Sequence, residues 1–337
     1  MPIVAHPKLP SLSKLKTEDL IIADEESLAK DFKQELHIGL LNLMPDAALQ
    51  ATERQFIRLL GSDESILVHV YPTTVGSSER GVEFQDYITK NYNDISTIYA
   101  SKLDGLIISG TNPSKPDMTD EPFWTPLVEV MDWAMENTNS ILCSCLATHA
   151  LMKYYFNIDR ELRDQKSWGV FPHTIANPSN PLMSGLDDGF MGLHSHFYDL
   201  PLEQILETDL EILAFNNQAG FFLASTKDTK LVLYQGHPEY DAISLLKEYQ
   251  REITNFLSDL RPDYPSLPEN YFSHKAISIL ENIQEKVLLS KEQPNFQEID
   301  FSKLVKVEWS HPGKILYKNW LNTVSYTHLT LPTNREV

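Results

Sequence analysis

A chain of 337 residues with a formal charge of −19 presents the wrong field for nucleic-acid phosphates or anionic lipid surfaces; a small anionic substrate would need only a local basic pocket. Hydrophobic residues at 42% and charged residues at 22% fit a globular protein, and apolar runs such as 104-DGLIISG-110 are far too short to span a bilayer. The opening MPIVAHPKLPSLSK carries no secretion-signal pattern, so the two cysteines, Cys143 and Cys145, lead to the expectation of a reducing cytoplasm.

In chain order, 37-HIGLLNL-43 reads as a buried strand. The stretch 51-ATERQFIRLLG-61 reads as a helix, with Phe56, Leu59 and Leu60 on one face and Gly61 placed to end it. Strands follow at 65-SILVHVY-71 and 104-DGLIISG-110, then a helix at 127-LVEVMDWAMEN-137. Strand 140-SILCS-144 leads directly into helix 146-LATHALMKYY-155. This alternation predicts an α/β fold, a mostly parallel sheet with helices on both faces.

From about residue 185 the spacing tightens. The runs 189-GFMGLHSH-196, 210-LEILAF-215, 220-GFFLAST-226 and 231-LVLYQGH-237 look like hairpin-connected strands. Helix 242-AISLLKEYQREITNFLSDL-260 is broken by the Pro-rich 261–270, and a further helix follows at 274-HKAISILENIQEKVLLSKE-292. The expected organisation is an N-terminal extension (1–36), one catalytic domain (37–260), and a helical C-terminal extension packed on it (261–323). The last stretch, 324-VSYTHLTLPTNREV-337, resembles a translated sequencing-adapter peptide, so it and His328 are left out of the functional reading.

The two thiols admit three readings. Residues i and i+2 on a strand sit ~6.5–7 Å apart, at or beyond disulfide reach. A zinc site lacks a partner pair; His194, His196 and His237 could supply ligands, but histidines so spaced are more often structural, and no metal is expected. The third reading is a nucleophile. Cys145 stands where the strand ends and the helix begins, where helix N-terminal N–H groups favour a thiolate and that of Leu146 could hold an oxyanion. Cys143 would be a buried apolar residue. Taken alone, a structural role for Cys145 competes with this. The segment 236-GHPEYD-241 supplies a base: in an extended H-P-E the first and third side chains share a side, so Glu239 can orient His237.

In that order, Cys…His-x-Glu, the chain resembles the bacterial homoserine O-acyltransferases (O-succinyl- and O-acetyltransferases). The matches run from His37 to Asn322: 38-IGLLNLMP-45, 52-TERQFIRLLG-61, 104-DGLIISG-110, Cys145, 166-KSWGVF-171, 194-HS-195, 236-GHPEYD-241 and 319-NWLN-322. The resemblance implies a flavodoxin-like, class I glutamine amidotransferase-like sandwich. It implies Cys145 as acyl carrier, His237 as base, Glu239 as its support, and Lys166, Ser195 and Arg251 as substrate-binding residues. It also implies homoserine and an acyl-CoA, succinyl-CoA or acetyl-CoA, as substrates, no bound cofactor, a homodimer, and a place in methionine biosynthesis.

Three departures stand out. Segment 45–56 is longer than usual, the loop 110-GTNPSKPDMTDEPFW-124 lacks G-A-P, and His196 replaces an arginine. In that loop Ser114 aligns where a small residue accompanies succinyl transfer and a glutamate acetyl transfer; its short neutral side chain favours succinyl. The His196 departure keeps serine open as the acceptor. A glutamine amidotransferase or hydrolase competes, although the elbow lacks the glycines of G-x-C-x-G, as does a non-enzymatic thiol sensor.

Overall fold

The computed structural model describes residues 3–6, 9–17, 22, 32, 34–76, 80–296 and 299–330, with side chains to 325. Its frame is a ten-stranded sheet built on β1 (Ile3–Ala5), β2 (Gln34–Leu41), β3 (Ile66–Thr73), β4 (Gly105–Ile108) and β5 (Ser140–Ser144). The remaining strands are β6 (Glu161–Ile175), β7 (Phe190–Asp199), β8 (Leu210–Asn216), β9 (Gly220–Thr226) and β10 (Leu231–Tyr234). The order is β1-β3-β2-β4-β5-β10-β9-β8-β6-β7. Strands β3-β2-β4-β5-β10 are all parallel, in the 2-1-3-4-5 order of flavodoxin-like sheets. The strands from β10 to β7 pair antiparallel. The α/β sandwich read from the sequence therefore stands.

Alternation along the strands sorts the core into two layers. Ile38, Leu40, Ile107, Leu142, Val232 and Tyr234 face one side, where they meet Phe56, Ile57 and Leu60 of α2 (Asp46–Leu60) and Trp320 and Leu321 of α10 (Ser310–Thr330). Leu41, Leu106, Ile108, Ile141, Cys143 and Leu233 face the other side. They meet Leu127, Val130 and Met131 of α5 (Trp124–Asn137) and Ala147, Ala150 and Leu151 of α6 (Leu146–Phe156). An unpaired polar group buried between sheet and helices costs free energy, so these positions are mostly apolar. A third cluster joins β6 and β7 to α8 (Ser244–Leu257) and α9 (His274–Ser290) through Trp168, Leu193, Tyr249 and Leu280. Short helices α1 (Ser11–Thr17), α3 (Val82–Asn91), α4 (Ile95–Ala100) and α7 (Leu202–Leu206) complete the set.

Several elements differ from expectation. Helix α2 starts at Asp46, not at residue 51: Pro45 stands at its N-cap, and Asp46, Ala47 and Ala48 suit a first helical turn. Residues 46–50 thus extend the helix expected from residue 51. Strand β6 starts with a mostly exposed polar stretch that carries no apolar run to reveal it, and that start is held by β7. Strand β10 stops at Tyr234, so the H-P-E segment lies in a turn. Helix α10 has only a weak apolar periodicity. Val324 and Ser325 of the adapter-like stretch are buried in it, while residues 331–337 lie outside the described residues. No described helix is long and apolar enough to cross a membrane.

Trp320 of α10 is fully buried; it packs over Gly105 of β4, and its Nε1–H donates to Ser140 Oγ at 3.0 Å. Trp320→Ala should cost ~3–5 kcal/mol through the cavity it leaves, read as a fall in the urea midpoint at unchanged m-value.

Candidate active site

The carboxyl ends of β2, β4, β5 and β10 open onto a cavity of about 540 Å³ lined by Met44, Gly110, Cys145, His237, Glu248 and Arg251 among others. Cys145 caps α6 with φ 51° and ψ −109°, a conformation L-residues avoid at a cost of ~1–3 kcal/mol. The surroundings hold it there. Its N–H donates to Tyr234 O at 2.8 Å, and the Thr148 hydroxyl lies 3.1 Å from Cys143 O and 2.9 Å from Tyr234 O. His149, one turn into α6, bonds through Nε2 to Gln235 Oε1 at 2.6 Å. The first turn of α6 is thereby stitched to the end of β10. Gly110, after β4, leaves the opening clear: a Cβ there would come within 3.6 Å of both Cys145 Cβ and Leu146 N. The Leu146 N–H can meet an oxyanion formed beside the sulfur. Both cysteines are free, and complete burial pushes the Cys143 thiol far up.

His237 is buried, and its Nδ1 lies 2.7 Å from Glu239 Oε1. Burial opposes its protonation, yet the charges of Glu239 and Cys145 and hydrogen bonds to both overcome this. The imidazole is held well above its ordinary value. The ring stacks on Tyr240 at 4.3 Å between centroids, and the His237 backbone N–H donates to Leu193 O at 2.8 Å. From the other side α2 grips the same turn. Arg54 pairs with Asp241, Arg58 Nη1 reaches Asp241 Oδ1 at 2.6 Å, and Arg58 Nη2 donates to Glu239 O at 3.2 Å.

Of the remaining residues singled out in the sequence, Lys166 and Ser195 meet on one group that it did not disclose, Glu248. Its Oε2 accepts from Lys166 Nζ at 2.7 Å and from Ser195 Oγ at 2.5 Å, and its Oε1 accepts from Tyr240 OH at 2.9 Å. Burial raises this carboxyl, but Lys166 and the hydrogen bonds more than compensate and keep it below its usual range. Arg251, one turn further along α8, has a 58% exposed side chain and a 3.6 Å contact with Glu252. Glu248 sits three residues before Arg251, and that helical spacing was the available signal. Ser114 does not line the cavity; its backbone N–H and its hydroxyl, the latter at 3.3 Å, turn to Glu121.

His194 and His196 contact one another in a buried chain. His196 Nδ1 is 2.9 Å from Tyr198 O, His194 Nδ1 is 3.0 Å from His196 Nε2, and His173 Nε2 is 2.9 Å from His194 Nε2. A carbonyl can only accept, so His196 donates from Nδ1 and accepts at Nε2. With the rings kept neutral by burial, His194 then donates from Nδ1 and accepts at Nε2, and His173 donates from Nε2. Burial lowers all of them, His173 to about 4, and His149 likewise to about 4.

Two outcomes follow. Iodoacetamide at neutral pH should alkylate Cys145 and spare Cys143 in the folded protein, as peptide mass mapping would show. A histidine with a lowered folded pKa contributes stability that is complete above its unfolded value, about 6.5. That stability is lost as pH falls from there toward 4. Unfolding free energy should therefore drop between pH 6.5 and 4 by ~3 kcal/mol for each of His149 and His173. His149→Asn should flatten that slope in urea titrations.

A family profile described as homoserine O-succinyltransferase matches residues 2–330. The chain is 43% identical over 330 residues to the homoserine O-succinyltransferase of Methylobacter tundripaludum, covering 96% of this chain and 93% of that protein. It is 41% identical over 336 residues to that of Nitrosococcus oceani, covering 97% and 94%. Among solved structures it is similar to a glutamine amido transferase from Methylobacillus Flagellatus, at a TM-score of 0.49 and 15% identity, covering 87% of this chain and 96% of that chain. By profile and by identity over nearly its whole length, the chain belongs to the homoserine O-succinyltransferase family.

Proposed function

We propose that this chain transfers a succinyl group from succinyl-CoA to the hydroxyl of homoserine, a step of methionine biosynthesis, through a thioester on Cys145. The observation that carries the acceptor assignment is the pair Glu248 and Arg251, both lining the cavity that holds Cys145 and His237. An amino acid offers one ammonium and one carboxylate. Glu248 suits the first, with Lys166, Ser195 and Tyr240 fixing its orientation, and the Arg251 guanidinium suits the second as a bidentate clamp.

In the first half-reaction the Cys145 thiolate attacks the thioester carbonyl. The S–C bond to the enzyme forms, the bond to CoA breaks, and the leaving thiolate takes the proton of the His237 imidazolium. The oxyanion meets the Leu146 N–H, and Glu239 holds His237 in the tautomer that faces the sulfur. In the second, neutral His237 takes the homoserine hydroxyl proton as the oxygen attacks the acyl carbonyl, and Cys145 leaves as thiolate. Exchange between thioesters is nearly isoenergetic, so positioning and oxyanion binding are the enzyme's main contributions. We infer a cytoplasmic location, which the use of an acyl-CoA donor supports.

Release of CoA, read with a thiol reagent, should require succinyl-CoA and homoserine together for turnover when both donors are crossed with homoserine and serine, and should vanish in Cys145→Ala. Silence of the folded protein in all four combinations would overturn the assignment. Arg251→Ala and Glu248→Gln should raise the homoserine KM roughly 10–100-fold, the ~1.5–3 kcal/mol of a charge-assisted contact. The stoichiometric CoA burst without acceptor should persist in both.

A further inference from the structure

Outside the cavity, on strands β2 and β3 beside the edge strand β1, three side chains converge in a way the acyl-transfer reading does not use. His37 of β2 and His69 of β3 are register partners on adjacent strands, and Glu35 lies two residues before His37 on the same face. Their donor atoms all lie within 4.8 Å of one another. Among the described residues no other group of three or more His, Cys, Asp or Glu side chains does this. Glu35 Oε1 is 2.8 Å from His69 Nε2 and 3.7 Å from His37 Nε2. We infer that Glu35, His37 and His69 form a binding site for a divalent transition metal that favours imidazole and carboxylate ligands, Zn²⁺ foremost.

Three features carry this. The separations suit a common ion: bonds of ~2.0–2.2 Å in tetrahedral geometry place ligand atoms ~3.3 Å apart, between the two observed distances. The direction also suits it. His69 Nε2 is buried and makes no hydrogen bond, although Glu35 Oε1 is only 2.8 Å away, so the carboxylate lies off the axis an N–H would need. An ion at the apex of a nitrogen–metal–oxygen triangle sits on that axis, with the carboxylate to one side. Finally, the far nitrogens are already engaged. His37 Nδ1 lies 2.9 Å from Tyr71 OH and His69 Nδ1 2.9 Å from His6 Nε2, and both partners can accept. With Nδ1–H donating in each ring, both Nε2 lone pairs turn toward Glu35. This is the outer-shell arrangement that orients metal-binding histidines.

Protonation of both rings is the competing way to satisfy the carboxylate. It would stack two imidazolium charges with centroids 4.7 Å apart against one negative charge. A divalent ion satisfies all three groups at once. Glu35 has a 54% exposed side chain, which leaves room for water to complete the coordination. The ion would clip β2 to β3 and so raise stability without entering the chemistry.

The test is Zn²⁺ titration of the apo full-length protein by calorimetry, with Cys145→Ala as the background so that the active-site thiol is not a ligand. One equivalent should bind, with affinity weakened at least tenfold by His37→Gln and by His69→Gln. His37 is 36% exposed and its substitution leaves the core intact; circular dichroism checks folding of both variants. Zn²⁺ should raise the thermal midpoint of the Cys145→Ala protein and leave that of its His37→Gln derivative unmoved. Unchanged affinity in folded His37→Gln, or no binding at millimolar Zn²⁺, overturns the site. Acyltransferase turnover of His37→Gln, assayed with Cys145 present, should match that of the parent. The outcome is therefore read independently of the proposed reaction.

Discussion

Cys145 occupies a backbone conformation that an L-residue adopts only under compulsion, and the compulsion comes from the strand beside it. The Tyr234 carbonyl receives the Cys145 N–H, while the Thr148 hydroxyl lies within hydrogen-bond distance of that carbonyl and of Cys143 O. If these contacts were released, the residue would relax, the sulfur would swing away from His237, and the Leu146 N–H would no longer border the opening beside Gly110. The parallel pairing of β5 with β10 is therefore a condition for the site as well as part of the frame, since it brings Tyr234 to the elbow.

The turn that carries His237 is braced from two directions. Phe222 and the Leu193 carbonyl pack so closely on Gly236 that a Cβ there would lie 2.2 Å from the ring and 2.9 Å from the carbonyl oxygen. Arg54 and Arg58 clasp Asp241 at the far end. Buried ion pairs contribute little net stability, because desolvation offsets the attraction, but loss of one partner leaves an uncompensated charge. Their effect here is to fix position. A displacement of the imidazole by an ångström would remove it from the sulfur.

Electrostatics then separates the histidines by role. His149, His173, His194 and His196 are buried, burial outweighs even the Asp199 carboxylate 3.4 Å from His196 Nδ1, and all four serve as neutral struts. His237 is equally buried, but the charges of Glu239 and Cys145 reverse the penalty. One group whose environment drives it opposite to its neighbours is what an acid–base role requires. Glu248 follows the same logic with the opposite charge. Lys166 keeps a buried carboxylate ionised, and an ionised carboxylate is what an ammonium group needs.

The sequence by itself determined the parallel α/β frame, because buried strands between two helical layers must be apolar on both faces, and runs such as Gly105–Ile108 and Ser140–Ser144 can be read directly. It also disclosed Cys145, His237 and Glu239, since the strand–helix elbow and the H-x-E spacing are local, although the extended H-P-E read from it is a turn in the fold. Tertiary structure decided the rest. The polar start of β6 is a strand only because β7 pairs with it, and helix α10 belongs to the core only because Trp320 meets Gly105 and Ser140 from far along the chain. Glu248 is an inconspicuous helical glutamate until Lys166, Ser195 and Tyr240, from three separate segments, close around it. His37 and His69 become neighbours only through the register of two strands. A side chain's charge state and partners depend on what the fold buries beside it, and residues far apart in the chain hold that information.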